Sequence, residues 1–421
     1  MRSRAPQSSP ALADPRLDRR GFAKLALGSV ASLWAMPGCG SGLEYTDADR
    51  AALDRQRREE TERAGKGPLG ALRYRGYRGL ADLPYFDLAP DGTLRLAIDI
   101  PPAIDLHTHF GIALLLAPAI DLAARTPRTE YYLDCDGGDP GCDFDLDVYQ
   151  NANFTDAAHD ALTAQMRDQV LPWGGRAART HTLANLLAEM DAMKFQRAAV
   201  LGMAIGLPFG DRLTEQWMDA IDASAARDRF VPFASVHPRD SGWRTKLAAF
   251  AARGARGVKL HPEMMRFAPD DPEAMQIYAE CERLGLPVIF HAGRSGIEPE
   301  SIRPYAMIRH YVPAIAAYPR VQFLLGHAGA RDVDDALAAA QQYPNVWLEI
   351  ACQGATQLGA LLNTIGPERL LFGSDWPFYP LAATLAKVLL VTEGKPEARA
   401  AILGANADRM FAIAAATRAP A

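Results

Sequence analysis

The stretch Ile104-Asp105-Leu106-His107-Thr108-His109-Phe110 sets two of the chain's nine histidines one residue apart at the end of an apolar run. On a β-strand, residues i and i+2 face the same way. His107 and His109 would then present two imidazoles in one direction, with Leu106 and Thr108 on the opposite face. Paired imidazoles suit a metal ion. Two structural histidines at a strand end are the plainer alternative, and this stretch alone leaves both open.

Working outward, seven more short apolar runs follow: RAAVLGMAIG, FVPFASVHP, ARGVKLHPE, PVIFHAG, VQFLLGHAG, NVWLEIACQG and RLLFGSDWP. Helical, Ala-rich stretches such as WRTKLAAFAARG and DPEAMQIYAECERLG lie between them. Eight strand–helix units predict an α/β chain folded as a (β/α)8 TIM barrel over residues 99–415, with active-site residues at the C-terminal strand ends. About ninety residues separate the first run from the second, more than one helix needs. Residues 118–179 are therefore expected to form a lid over the barrel mouth.

The N-terminus reads as a leader. Arg19-Arg20 precedes the apolar run FAKLALGSVASLWAM, which is too short to span a bilayer comfortably and ends at Met36-Pro37-Gly38-Cys39. Residues 1–38 read as an export signal of twin-arginine, lipoprotein type, cut before Cys39 with lipid on its thiol. Soluble periplasmic release is the alternative. The six basic and two acidic residues of that leader carry +4, so its loss takes the chain from −5 to −9. Residues 39–98 then hold the anchor, a charged stretch expected to be a solvated helix or stalk over 44–66, and an extension with a hairpin near Asp91-Gly92. No basic stripe appears, which argues against nucleic acid as a partner. In an oxidising compartment Cys135 and Cys142, which flank a Gly/Asp-rich turn, are expected to pair. Cys281 and Cys352 read as buried thiols.

At the expected barrel top, strand ends offer His107 and His109, then Lys259 and His261, His291, His327 and Asp375. One histidine on an apolar strand is an ordinary core residue. Four histidine-bearing strand ends plus a terminal aspartate suit a divalent metal with an open position for water. This set, with GVKLHPE, FHAG, GHAG, FGSDWP and the late GANADRMF, resembles the amidohydrolase superfamily. Within it, the set is similar to the amidohydrolase 2 group, which includes relatives of aminocarboxymuconate-semialdehyde decarboxylase.

The resemblance implies that His107, His109, His291 and Asp375 bind one divalent ion, usually zinc, and that Asp375 serves as general base. It further implies that His327 orients or protonates the substrate and that Lys259 contacts it. A carboxylated Lys259 bridging two ions remains the alternative. Arg294, His261 and His237 are candidate substrate contacts, whereas His159, His181 and His310 read as structural or exposed. Asp134, Asp136, Asp139, Asp143, Asp145 and Asp147 could surround Ca2+, though an acidic solvated turn is the simpler reading. Hydrolysis of a small-molecule ester, lactone or amide by metal-activated water is the leading expectation. Decarboxylation of an aromatic or unsaturated acid is the second, and a non-catalytic surface binding lipoprotein the third. The only membrane contact expected is the Cys39 lipid, and family kinship allows a homodimer.

Overall fold

The computed structural model describes residues 43–137, 142–206 and 212–418. The leader, Cys39 and Asp139 lie outside them. Eight parallel strands form the centre: β1 (Ile104–Thr108), β2 (Arg197–Leu201), β3 (Phe230–Ala234), β4 (Gly257–Leu260), β5 (Val288–Phe290), β6 (Phe323–Leu325), β7 (Val346–Glu349) and β8 (Leu370–Leu371). They pair in sequence order. The seam closes where Leu106 N donates to Phe372 O (3.0 Å), His109 N to Trp376 O (2.7 Å) and Asp375 N to His107 O (2.9 Å). A closed parallel sheet with helices in its crossovers is a (β/α)8 TIM barrel, as the eight runs predict. Nearly every strand residue is buried, which is why these strands read as continuous apolar runs rather than alternating ones.

β1 departs from strict alternation. Asp105 pairs with Ala198 and Thr108 with Val200, so Leu106 and His107 together oppose Ala199. This is a bulge, which bends a strand and re-aims its side chains. Ile104 and Leu106, two apart, share an apolar cluster with Ala199, Phe233, Ile289, Leu324 and Leu371, and the bulge lets the adjacent His107 also turn inward, to the mouth. Ala407, Met410 and Phe411 from the last helix, Asn406–Ala416, complete that cluster. The ring of Phe233 is accommodated because position 257 is glycine, where a Cβ would lie 2.2 Å from it.

The β1–β2 connection lies against the C-terminal strand ends. Tyr132 N donates to Pro377 O (3.1 Å) and Gln150 N to Cys352 O (2.9 Å). It is also stitched to the N-terminal extension: Asp143–Asp145 pairs antiparallel with Arg73–Arg75, and Cys135 is bonded to Cys142. The expected hairpin is present, with Phe86–Leu88 paired to Leu94–Leu96.

The helix at Asp47–Arg63 begins with a capping box from Thr46 and Asp49. It is docked rather than a solvated stalk. Leu53 is buried, Glu60 pairs with Arg331 (3.0 Å), Asp49 with Arg309 (2.8 Å) and Glu300 with Arg50 (2.9 Å). No helix among the described residues is long and apolar enough to cross a membrane.

Candidate active site

The two histidines of β1 are held by the nitrogen facing away from the mouth. His107 Nδ1–H points at the Glu349 carboxylate (2.7 Å) at the end of β7, and His109 Nδ1–H at Leu201 O (3.0 Å) at the end of β2. Each contact fixes the tautomer that leaves Nε2 free, the arrangement by which proteins orient imidazole ligands. Both Nε2 atoms face one carboxylate oxygen: Asp375 Oδ1 lies 3.5 Å from that of His107 and 3.9 Å from that of His109. The Lys259 ammonium stands 3.2 Å from His107 Nε2.

His327 joins this group, since its donor atom and those of His107 and Asp375 lie within 4.8 Å of one another. Its buried Nδ1 has no hydrogen-bond partner among the described residues. His291, expected in the same shell, reaches it through His327, with Nδ1 3.1 Å from His327 Nε2. Its other nitrogen turns to Glu263 (3.4 Å), and its ring stacks on His261 at 4.1 Å.

Backbone strain concentrates here. Asp375 (φ +62°), His327 (+55°), Ala328 (+47°) and Cys352 (+70°) all occupy the left-handed region that non-glycine residues avoid. Such conformations persist only where surrounding contacts over-determine them, and they cluster at functional sites. At Asp375 those contacts are visible. Asp105 accepts from the Ser374 hydroxyl (2.5 Å), from Ser374 N (3.0 Å) and from His107 N (3.0 Å), clamping β1 to the loop that carries Asp375.

The electrostatics suit ligation. Burial, then the Lys259 ammonium, pull His107 well below the usual imidazole range and His109 down to about 3. Burial also lowers His291 and His327, seconded by His261 and His291 respectively. All four rings are therefore neutral near pH 7, as metal ligands must be. Burial brings Lys259 down to about 8, against the pull of Asp375 and Glu349. It pushes Asp375 upward, with Lys259 opposing. Two neutral imidazole Nε2 atoms around one carboxylate oxygen, with a His327 donor within 4.8 Å of those of His107 and Asp375, fit a divalent cation.

Two expected substrate contacts are committed elsewhere. Arg294 forms a fork on Asp332 (2.5 and 2.9 Å), and its Nη1 donates to Asp49 O (2.6 Å). His237 uses both nitrogens, on Met265 O (3.0 Å) and Arg239 N (3.2 Å). Both side chains are buried and satisfied. His159 and His181 bond backbone oxygens (3.1 and 2.7 Å), and His310 lies 3.5 Å from Asp270. The acidic loop is likewise engaged: Asp136 accepts from Tyr77 N, Asp145 pairs with Arg73, Asp147 accepts from Thr356 N, and Asp134 contacts Arg128. Among the described residues these four aspartates are spread over separate protein donors, which favours the acidic turn over the calcium cage considered above.

Glu349, Asp105 and Glu263 were absent from the expected site. Glu349 closes the run NVWLE, where the rule that picked out Lys259 would have found it.

Residues 104–413 match the amidohydrolase family. The chain belongs to it. A curated relative, L-fucono-1,5-lactonase from Burkholderia multivorans, is 40% identical over 62 residues, which is 13% of this chain and 21% of the relative's length. Among solved structures, the chain is similar to an uncharacterised TIM-barrel protein from Bordetella bronchiseptica (TM-score 0.49, 24% identity, 56% of this chain and 85% of that one). It is also similar to 5-carboxyvanillate decarboxylase from Sphingomonas paucimobilis (TM-score 0.48, 18% identity, 60% and 90%).

Proposed function

We propose that this amidohydrolase opens a small-molecule lactone, ester or amide with water. One observation carries the reading. The Asp375 carboxylate faces the free Nε2 atoms of His107 and His109, with the Lys259 ammonium against the same His107 nitrogen. A proton acceptor, a cationic donor and neutral imidazoles thus share one pocket.

His107, His109, Asp375 and His327 would hold a divalent cation, zinc being the expected one. When bound, that ion supplies Lewis-acid polarisation of the substrate and a lowered pKa for water. Asp375 takes the proton of the attacking water. Lys259 donates to the oxygen on which negative charge develops as the carbonyl becomes tetrahedral, where a preorganised donor in a dry site is most effective. Asp375 then passes that proton to the departing oxygen, which leaves as a hydroxyl. The local kinship with a lactonase favours a lactone among these substrates.

The test is a panel of lactones, esters, amides and aromatic carboxylic acids with the metal-loaded protein. Acid release from a lactone or ester is the expected result. Carbon dioxide from an aromatic acid without any hydrolysis would replace this reading with a decarboxylase. Stoichiometric metal with no turnover on any panel member would favour a binding protein.

We further propose export through the Arg19-Arg20 leader and anchoring at Cys39. The Cys135–Cys142 bond supports an oxidising compartment. Replacing both arginines with lysine should leave the protein in the cytoplasm, and unchanged export would remove the twin-arginine assignment.

A further inference from the structure

The end of β7 and the loop after it grip His327 by both its backbone N–H and its carbonyl. His327 N donates to the Glu349 carboxylate (3.1 Å), and His327 O accepts from the Gln353 side chain (2.6 Å). The same Gln353 Nε2 also donates to Ala330 O (2.8 Å). Both partners are carbonyl oxygens, so the carboxamide must present its nitrogen to them. Gln353 is buried at 3% and has no part in the reaction above.

What this fork spans is the strained element. His327, Ala328, Gly329 and Ala330 all have positive φ (+55°, +47°, +80° and +49°). A residue with a Cβ is disfavoured there, and a run of such residues persists only where outside contacts impose it. The turn's own bond, Ala330 N to His327 O (2.8 Å), joins the same two residues that Gln353 bridges. Gln353 is held in its turn. Its carbonyl accepts from Lys387 Nζ (2.8 Å), which also donates to Gln150 Oε1 (2.8 Å) in the β1–β2 connection. Lys387 is 1% exposed and is the one charged residue of the helix Leu381–Val391. Burying an ammonium is costly, and an apolar side chain would fill that space more cheaply. Its two bonds, to the cover of the mouth and to Gln353, account for its presence.

We propose that Gln353, braced by Lys387, is the positioning residue that sets His327 in the cation site. Glu349 orients His107 through its imidazole, whereas Gln353 acts on His327 through the backbone, by fixing the left-handed turn that aims the ring. Without the fork, the His327 and Ala330 carbonyls lose a buried donor, and the turn is free to leave a conformation that its own residues disfavour. This role rests on the cation site of the proposed function and not on the reaction carried out there.

The experiment is Zn2+ affinity of the full chain by competition with a chelator, for wild type, Gln353→Met, His327→Ala and the double variant. Gln353→Met keeps the length of the side chain and removes its two N–H donors. It should bind Zn2+ about 10- to 100-fold more weakly than wild type. The double variant should bind no more weakly than His327→Ala alone, because Gln353 acts through His327. A side chain that only fills space would give losses that add. Additive losses, or wild-type affinity in Gln353→Met, overturn the assignment. If Gln353→Met fails to fold, Lys387→Met takes its place under the same two criteria. The lactone and ester panel, run on the wild type, separates this role from the hydrolase reading. Non-additive affinities without any hydrolysis overturn that reading alone, and hydrolysis with additive affinities overturns the Gln353 role alone. A wild type that binds no Zn2+ overturns both.

Discussion

The two ends of the barrel are built from the same eight strands on opposite principles. At the N-terminal end, Ile104, Phe233 and Ile289 meet Met410 and Phe411 in a sealed apolar layer. At the C-terminal end, buried His107, Lys259, Glu349 and Asp375 meet in a polar cluster with left-handed backbone at its edge. One end gains stability by removing apolar surface from water. The other holds buried ionisable groups at a cost that a hydrogen-bond network offsets. Each strand thus changes from structural to chemical duty along its length, and substitutions at the two ends should fail in different ways.

The sharpest break in that contrast comes from Asp375→Asn. Turnover should fall by about three orders of magnitude or more, while the melting temperature stays level or rises, because an amide is easier to bury than a carboxylate. Near-normal turnover would take Asp375 out of the chemistry.

The opposite end should respond oppositely. Phe411→Ala removes a ring packed 6.1 Å from that of Phe233 and should cost about 3–5 kcal/mol of stability, read by denaturant titration. Its kcat at a temperature where the protein remains folded should be unchanged. A strong kcat effect would mean the two ends are mechanically coupled.

Glu349→Gln tests the support beneath the polar end. The His107 contact survives in weakened form, so metal affinity should fall by about 10- to 100-fold with little change in fold, as measured by competition with a chelator. No change in affinity would make the His107–Glu349 contact a stability element only.

The smallest effect concerns the N-terminal helix. The Arg309 hydrogen bond, then the cap contacts at Thr46, hold the Asp49 carboxyl well below the usual carboxylate range. A depressed acid contributes its stability fully above the ordinary Asp value and loses it as the pH falls through the folded value. Docking of Asp47–Arg63 should therefore weaken below about pH 4, by under about 1 kcal/mol because the pair is partly solvated. Hydrogen exchange in that helix should rise before exchange in the barrel strands. Simultaneous loss would make the helix part of the barrel's own cooperative unit.

Much of this was legible in the sequence because parallel barrel strands are short, apolar and end in their functional residue. The runs ending KLH, FH and GSD each deliver a side chain to the mouth. What stayed hidden depends on pairs remote in the chain. Arg294 reads as a free cation until Asp332, 38 residues away, is brought beneath it. The charged segment at 44–66 shows no apolar face beyond Leu53, so its docking through Arg294, Arg309 and Arg331 leaves no periodic trace. The bulge in β1 is a register event between two strands, and neither strand alone encodes it.

His107 and Asp375 come from the first and last staves of the cylinder, joined where Asp375 N meets His107 O. Because that seam links segments separated by most of the chain, it can form only after nearly everything between them has been synthesised and gathered. Fragments lacking either stave cannot assemble this ligand pair, so ion uptake would report how far assembly of a nascent chain has progressed.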